Sequence, residues 1–138
     1  MKKSELKATE IDCRDIPDLV PVLCVAASAA EGTTVFKNIE RLREKESDRV
    51  ESTVAMLRAL GGKIEYDENK IYVTGGALSG GTVSSFNDHR IAMSAAIASL
   101  RCHGEVIIDE AESVRKSYPD FYEKFMLLGG KCHELYDR

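Results

Sequence analysis

The chain has 138 residues, of which 43% are hydrophobic and 30% are charged, and this composition is that of a globular domain rather than a disordered or fibrous chain. Its formal net charge of −4 argues against nucleic acid or an anionic membrane surface as the main partner. The sequence contains no apolar run of the roughly 18–20 residues that a membrane span needs, and its polar start lacks the apolar stretch of a signal peptide.

The first half of the chain predicts alternating strands and helices. The apolar, alanine-rich stretch that contains Pro17 is typical of a helix, because proline fits the first helical turn. Val50, Val54 and Leu57 have the i, i+4, i+7 spacing of a helix with one buried stripe. The predicted elements are a strand at 6–12, a helix at 17–30, a strand at 33–38, a helix at 46–60 and a β-hairpin on either side of 67–69.

The second half repeats this plan after a glycine-rich loop. Its predicted elements are a strand at 82–86, a helix at 88–102, a strand at 105–110, a helix at 118–128 and a final strand that begins at Lys131. The matching segments are GTTVF at 32–36 with GEVII at 104–108, and ALGGK at 59–63 with LLGGK at 127–131. We therefore predict an α/β fold of two packed βαβαβ units, about 5–76 and 80–138, with an extra strand in the first unit. Each unit is expected to pack its helices on one side of a sheet.

Cations are concentrated near the predicted helix starts. A helix start offers unpaired N–H groups and the positive end of the helix dipole, and both favour anions. The repeat places Asp18 and Arg90 at equivalent positions, and Lys45 and Lys116 at nearly equivalent ones. In an acidic protein this clustering predicts a site for a small, multiply charged anion. The basic residues concerned are Lys45, Arg49, His89, Arg90, Arg115 and Lys116.

The charge-dense segment 43–49 has two interpretations. It fits an ordinary solvated helix start that is capped by Ser47 or Asp48. Alternatively, Lys45 and Arg49, which are i, i+4 neighbours, face one ligand with Glu46 beside them.

The segment that begins the second alanine-rich helix also has two interpretations. Asn87 or Asp88 would serve as the N-cap of an ordinary helix. His89 and Arg90 would then be cations in the first turn, where each costs from a few tenths to about 1 kcal/mol unless an anion offsets it. Such a locally unfavourable choice points to function. Asp18, by contrast, follows Pro17 at a predicted helix start, where a carboxylate is expected for helix stability alone.

The cysteines do not indicate a metal or a catalytic thiol. None of them forms a CxxC pair, and the Cys-His pairs at 102–103 and 132–133 lack the spacing of a zinc finger. We therefore expect no metal and no other cofactor. Without an export signal, the cysteines predict reduced thiols in a cytoplasm. They are Cys13, Cys24, Cys102 and Cys132.

Four segments together resemble the C-terminal part of the 5-enolpyruvylshikimate-3-phosphate synthases. They are DIPD at 15–18, KESDR at 45–49, NDHRIAM at 87–93 and SVRKSYPD at 113–120. Their order and spacing fit this family over nearly the whole chain, and the second and third segments are specific in combination. A related enolpyruvyl transferase that acts on UDP-N-acetylglucosamine shares the fold but not this pair of signatures, and it stays a minor alternative.

This resemblance implies a fold and a transferase reaction. The family builds each of two domains from three βαβαββ units, with the active site in the cleft between the domains. This chain, 1–138, would then be a partial C-terminal domain that holds two of those units. The reaction moves the enolpyruvyl group of phosphoenolpyruvate to the 5-hydroxyl of shikimate 3-phosphate. It passes through a tetrahedral ketal, releases phosphate and needs no metal.

The resemblance also implies roles for single residues. Asp18 would bind the shikimate hydroxyls and help to take the 5-hydroxyl proton, and Glu46 would act as acid and base at the methylene carbon of phosphoenolpyruvate. Arg49 and Arg90 would clamp its carboxylate, because a fork-shaped guanidinium matches that group. The other implied contacts are Lys45 with the shikimate ring, Lys116 with the phosphate of phosphoenolpyruvate and His89 as a neighbour in the site. All of these side chains are expected on one exposed rim.

Compared with complete members, this chain would lack the N-terminal domain and the residues that it adds to the anion site. An excised piece, a truncated product and one half of a split enzyme all stay open. Because half a cleft alone is a poor catalyst, a folded but inert module that binds anions or has a structural role is the alternative function. The expected partners are phosphoenolpyruvate, shikimate 3-phosphate and the missing N-terminal part. Self-association through uncovered apolar surface or strand edges is a further alternative.

Overall fold

The first sheet of the computed structural model, which describes residues 9–130, has four strands. They are β1 (Glu10–Asp12), β2 (Thr33–Lys37), β3 (Lys63–Tyr66) and β4 (Lys70–Thr74), in the spatial order β1-β2-β4-β3. Strand β1 runs parallel to β2, whereas β4 is antiparallel to both β2 and β3. Phe36 of β2 lies opposite Ile11 on one side and Ile71 on the other, so the register sets an apolar row across the sheet.

A second sheet pairs β5 (Gly81–Ser84) in parallel with β6 (Val106–Asp109). The described residues also form the helices α1 (Val20–Ala27), α2 (Arg49–Ala59), α3 (His89–Ser99) and α4 (Phe121–Leu127). Short 3-10 turns occur at Pro17–Leu19, Glu40–Glu44 and Ala111–Lys116. This mixture of sheets and helices confirms the predicted α/β fold class.

The core lies between the helices, one face of the first sheet and Val83 of β5. Successive strand residues point to opposite faces, and this alternation buries Thr34 and Phe36 of β2 together with Ile71 and Val73 of β4. The other face of these strands is exposed or half-buried, as expected when helices cover only one side. The predicted stripe of α2 is part of this core and consists of Val50, Val54 and Leu57.

Helix boundaries differ from the predicted ones for local reasons. The helix predicted at 17–30 begins as a 3-10 turn and ends at Ala27. Helix α2 begins later than predicted because the side chain of Asp48 caps it and accepts two backbone N–H groups of its first turn. Residues 6–8 of the first predicted strand and the predicted final strand from Lys131 onward lie outside the described residues.

Apart from the 3-10 turn Pro17–Leu19, which has no counterpart before α3, the order strand, helix, strand, 3-10 turn, helix occurs twice along the described chain. Asn38 and Glu110, which follow β2 and β6 directly, both have a positive φ, of 60° and 57°. Few non-glycine residues adopt this left-handed conformation, and the two residues are equivalent when 32–36 is aligned with 104–108. The limits of the two units stay a prediction.

Candidate active site

The starts of α2 and α3 meet at one buried ion pair. Arg49 is the first residue of α2, and Asp88 is the N-cap of α3. Arg49 Nε lies 2.9 Å from Asp88 Oδ2, and Arg49 Nη2 lies 3.1 Å from Asp88 Oδ1, so the pair is bidentate. The two side chains are 1% and 0% exposed. The fold thus joins the KESDR and NDHRIAM segments at one point.

Arg49 also donates to two carboxylates nearer the solvent. Its Nη1 lies 2.9 Å from Asp18 Oδ1, and its Nη2 lies 2.7 Å from Glu46 Oε2. The side chains of Asp18 and Glu46 are 51% and 45% exposed. Burial lowers the pKa of Arg49, but the hydrogen bonds to Asp88 and the charges of Asp88 and Glu46 outweigh it, so the pKa is raised. Arg49 therefore stays charged, with all three guanidinium nitrogens bonded to carboxylates.

Each carboxylate oxygen of Asp88 accepts two hydrogen bonds. Besides the bonds from Arg49, Oδ2 accepts from Ser47 Oγ at 2.7 Å and Oδ1 accepts from the backbone N–H of Arg90 at 3.0 Å. Burial raises the pKa of Asp88, but the hydrogen bonds from Arg49 and Ser47 outweigh it and hold the pKa below its usual value. Asp88 is therefore an ionised carboxylate at neutral pH, held by donors from both helix starts.

Asp18 and Lys45 form the outer part of this network. Asp18 lies in the 3-10 turn Pro17–Leu19, and its Oδ1 is 3.4 Å from Lys45 Nζ. Partial burial raises the pKa of Asp18, but the charge and hydrogen bond of Lys45 and the hydrogen bond from Arg49 outweigh it. The pKa of Asp18 is therefore lowered overall. An ionised carboxylate at a solvent-facing edge accepts hydrogen bonds from ligand hydroxyl groups.

The first turn of α3 holds two buried polar atoms that have no hydrogen-bond partner among the described residues, His89 Nδ1 and Arg90 Nε. His89 is 7% exposed. Burial lowers its pKa below the usual value, although Asp88 and Glu46 act in the opposite direction, so the imidazole is neutral at pH 7. Most buried polar atoms in folded proteins are paired. These two atoms are therefore candidates to face the oxygen atoms of a ligand.

The structure brings four of the predicted site residues into direct contact, namely Asp18, Lys45, Glu46 and Arg49. The expectation that all the site residues lie on one exposed rim is wrong for Arg49 and His89. Arg49 is buried because three carboxylates neutralise it, and His89 is buried as a neutral ring at the start of α3. The side chain of Lys116, at the end of the 3-10 turn Ala111–Lys116, lies outside the part of the chain that the structure describes.

The sequence did not reveal two residues of the network. Asp88 was predicted as one of two alternative helix caps, and this role is confirmed, but its bond to Arg49 was not predicted. Ser47 was an alternative cap for α2, a position that Asp48 fills; Ser47 instead donates to Asp88. Periodicity carries no information on such contacts. The only indication in the sequence is that Asp88 directly precedes His89 and Arg90.

Residues 9–130 contain no group of three or more His, Cys, Asp or Glu side chains arranged to hold a metal ion. Cys13, Cys24 and Cys102 are free thiols, and burial raises the pKa of Cys13 to about 11. Within the same range, no helix has both the length and the apolar character needed to cross a membrane.

Comparison with known proteins gives a consistent result over most of the chain. The family model for EPSP synthase (3-phosphoshikimate 1-carboxyvinyltransferase) matches residues 1–125. A protein of Clostridium acetobutylicum named 3-phosphoshikimate 1-carboxyvinyltransferase is 46% identical over 134 residues, and one of Clostridium perfringens with the same name is 47% identical over 131 residues. The alignments cover 96% and 94% of this chain, respectively, and 31% of each relative.

Solved structures agree with these matches. The EPSP synthase from Acinetobacter baumannii superposes with a TM-score of 0.85 at 33% identity, over 92% of this chain and 31% of that chain. The enolpyruvyl transferase NikO from Streptomyces tendae gives a TM-score of 0.76 at 21% identity, over 94% of this chain and 30% of that chain, and it shows the fold alone. This chain thus spans about a third of the length of the proteins it matches. The family match over residues 1–125 shows that the chain belongs to the EPSP synthase family.

Proposed function

We propose that this chain forms one wall of the active site of an enolpyruvyl transferase. The substrates would be phosphoenolpyruvate and shikimate 3-phosphate, and the products would be phosphate and the enolpyruvyl ether at the 5-hydroxyl of shikimate 3-phosphate. Membership of the EPSP synthase family supports the reaction class. The proposal includes a role in the shikimate pathway and a location in the cytoplasm.

One observation carries the proposal. Arg49, from the KESDR segment, donates two hydrogen bonds to Asp88, from the NDHRIAM segment. Directly after Asp88 come the two unpartnered polar atoms, His89 Nδ1 and Arg90 Nε. The donors suited to an anion are therefore next to the carboxylates suited to proton transfer. Such a mixture fits a substrate that carries a carboxylate and a phosphate and that gains a proton during the reaction.

In the proposed reaction, the oxygen of the 5-hydroxyl bonds to the central carbon of phosphoenolpyruvate while Asp18 accepts the hydroxyl proton. Glu46, in its protonated form, gives its proton to the methylene carbon, which becomes a methyl group, and the product of this step is a tetrahedral ketal. The ketal then loses phosphate, which leaves with the proton from Asp18. One methyl proton returns to Glu46, and the carbon–carbon double bond forms again. Each of the two carboxylates thus ends the cycle in the protonation state in which it began.

The remaining roles concern binding. Arg49 and Arg90 would hold the carboxylate of phosphoenolpyruvate, and Lys116 would hold its phosphate. Lys45, 3.4 Å from Asp18, would hold the shikimate ring together with that carboxylate. His89 would be a neutral neighbour of the bound anion. The closed, water-poor site that this chemistry needs requires a second wall, and we propose that the rest of the enzyme supplies it.

Arg49 would reach a substrate by exchanging partners, because its side chain is 1% exposed and four of its five N–H groups already donate to carboxylates. Asp88 is completely buried, whereas Asp18 and Glu46 are about half exposed. A substrate carboxylate therefore replaces one of the outer carboxylates. This exchange would release Asp18 or Glu46 from Arg49 at the moment when the reaction needs it for proton transfer.

A second candidate function is an inert module that binds anions or has a structural role. It is favoured by length alone, since the chain spans 31% of its relatives. A titration followed by amide NMR separates the two candidates. The proposed function predicts that phosphoenolpyruvate and shikimate 3-phosphate shift the amides at 45–49 and 88–90. Equal response to any phosphate compound favours the inert module, and a response to UDP-N-acetylglucosamine in place of shikimate 3-phosphate favours the related transferase.

A further inference from the structure

We propose that Asp88 is the positioning residue of this site, and that it fixes the plane of the Arg49 guanidinium and the first turn of α3 relative to each other. The inference rests on the proposed function, because it concerns how the site presents its donors to an anion. Asp88 had been expected only as a helix cap. Its contacts go further, since one carboxylate joins α2, α3 and the segment before α2.

The first argument is the geometry of the bond between Arg49 and Asp88. A guanidinium is planar, and two bonds to one edge define the orientation of the whole plane. Asp88 takes that edge through Nε and Nη2, at 2.9 and 3.1 Å. The bonds to Asp18 and Glu46 then lie toward the solvent. The edge that Asp88 holds is thus the inner one, and the outer edge is the one that a ligand reaches.

The second argument is the gradient of exposure around Arg49. The side chain of Asp88 is 0% exposed, whereas those of Asp18 and Glu46 are 51% and 45% exposed. An incoming anion can replace a half-exposed carboxylate but has no access to the buried one. Asp88 therefore stays in place during ligand exchange, and the orientation that it imposes is kept with or without a ligand.

The third argument is that Asp88 acts on both proposed arginines. Its Oδ1 accepts from the side chain of Arg49 and from the backbone N–H of Arg90. Because one atom accepts both bonds, the relative placement of the two arginines depends on it. Ser47 donates to the other oxygen at 2.7 Å and limits rotation of the carboxylate. A carboxylate ligand held between the two arginines would meet a geometry that Asp88 sets.

A simple electrostatic role predicts the opposite effect on binding. Asp88 adds a negative charge near an anion site, so removal of the charge alone would strengthen anion binding. Loss of positioning would weaken it. The sign of the change in affinity thus separates the two roles. The effect should also depend on the ligand: binding of a ligand with a carboxylate should change and binding of inorganic phosphate should not, because the two arginines are proposed to hold the carboxylate.

The test compares Asp88→Asn with the matched control Asp48→Asn in the 138-residue chain. Asparagine caps helices as well as aspartate does, so both variants keep their caps, but only the first loses the carboxylate that holds Arg49. We expect Asp88→Asn to weaken phosphoenolpyruvate binding by about tenfold, as for the loss of a hydrogen bond to a charged group. Inorganic phosphate binding should change less than about twofold, and Asp48→Asn should match the wild type for both ligands.

A second readout is the Nε–H resonance of Arg49. Its hydrogen exchange should be slow in the wild type and in Asp48→Asn, and fast in Asp88→Asn. If Asp88→Asn fails to fold, Ser47→Ala removes one donor to Asp88 and should give a smaller loss of the same sign. Unchanged or tighter phosphoenolpyruvate binding with slow Nε–H exchange overturns the inference. A wild type that binds no phosphoenolpyruvate contradicts the proposed function instead. If, in addition, Arg49 Nε–H exchanges as slowly in Asp88→Asn as in the wild type, the inference is overturned as well.

Discussion

Asp18 Oδ1 lies 2.9 Å from Arg49 Nη1, although 31 positions separate the two residues in the sequence. Arg49 is almost completely buried and Asp18 is half exposed, so the pair extends from the interior to the surface. At its inner end, Arg49 is held by Asp88. The inner edge of this guanidinium therefore stabilises the fold, and we propose that its outer edge faces the ligand. Substitutions around Arg49 should separate these two effects.

Replacement of Arg49 by alanine should destabilise the fold strongly. The change leaves the buried carboxylate of Asp88 without its cation, and breaking a buried ion pair in this way typically costs about 3–5 kcal/mol of unfolding free energy. Arg58→Ala is the matched control in the same helix, because Arg58 bonds to the exposed Glu65 at 3.1 Å and exposed pairs contribute about 1 kcal/mol or less. Urea unfolding measures both, and equal losses would contradict the structural role of Arg49.

The pH dependence of stability should report on His89. Its pKa in the folded chain is lowered from 6.5, chiefly by burial, so the folded state binds fewer protons than the unfolded state below that pH. The stabilisation is present above pH 6.5 and is lost as the pH falls through the folded-state pKa. We expect the unfolding free energy to decrease between pH 7 and pH 5 and to be flatter in His89→Gln. The exposed His103 provides the control His103→Gln, which should keep the slope of the wild type.

Much of this fold follows from local patterns. The stripe of Val50, Val54 and Leu57 depends on helical spacing, and the caps Asp48 and Asp88 depend on residue type at a helix start, so all of these are visible within a few residues. The burial of Arg49 is different. It depends on Asp18 and Asp88, which lie 31 and 39 positions away, and no local pattern predicts which carboxylates will meet. The resemblance to a family grouped these residues, but it did not reveal that Arg49 is enclosed.

Arg90→Ala should abolish the binding of phosphoenolpyruvate by this chain. Arg90 Nε is buried without a hydrogen-bond partner, and we propose that it is one of the two clamps on the ligand carboxylate. Arg101→Ala is the control beyond the far end of the same helix, because Arg101 bonds to Ser28 Oγ at 3.1 Å and lies outside the candidate site. Isothermal titration with phosphoenolpyruvate measures the affinity, and retained binding in Arg90→Ala would remove Arg90 from the clamp.

Glu46→Gln should leave phosphoenolpyruvate binding intact or strengthen it, while it removes turnover by the assembled enzyme. Glu46 competes with the ligand for Arg49 Nη2, from which it is 2.7 Å away, and a neutral amide competes less well than a carboxylate. The same substitution removes the proposed proton donor to the methylene carbon. Turnover is therefore expected to be lost while the affinity is kept or increased. A parallel loss of both would contradict this competition and indicate that Glu46 holds Arg49 in place.

The 138-residue chain alone should turn over phosphoenolpyruvate and shikimate 3-phosphate negligibly, while it still binds phosphoenolpyruvate. Loss of a single preorganised contact to the transition state costs a factor of about 10²–10³ in rate, and a chain that spans 31% of its relatives lacks several such contacts. Under the proposed function, the chain alone would also lack the second wall that excludes water. Binding depends on fewer groups, and Arg49 and Arg90 are both present, so it should survive better than catalysis.

Addition of the remaining part of the Clostridium acetobutylicum relative should restore the release of phosphate, and Asp18→Asn should remove the restored activity, because the proposed acceptor of the hydroxyl proton is then neutral. Phosphate release measured with and without that part decides the question. Turnover by the chain alone at the rate of the assembled enzyme would contradict the proposal, since the cleft would then have to be rebuilt by self-association of this chain. Light scattering at the assay concentration would reveal such an assembly, and a monomeric mass together with full turnover would mean that the site around Arg49 catalyses a different reaction.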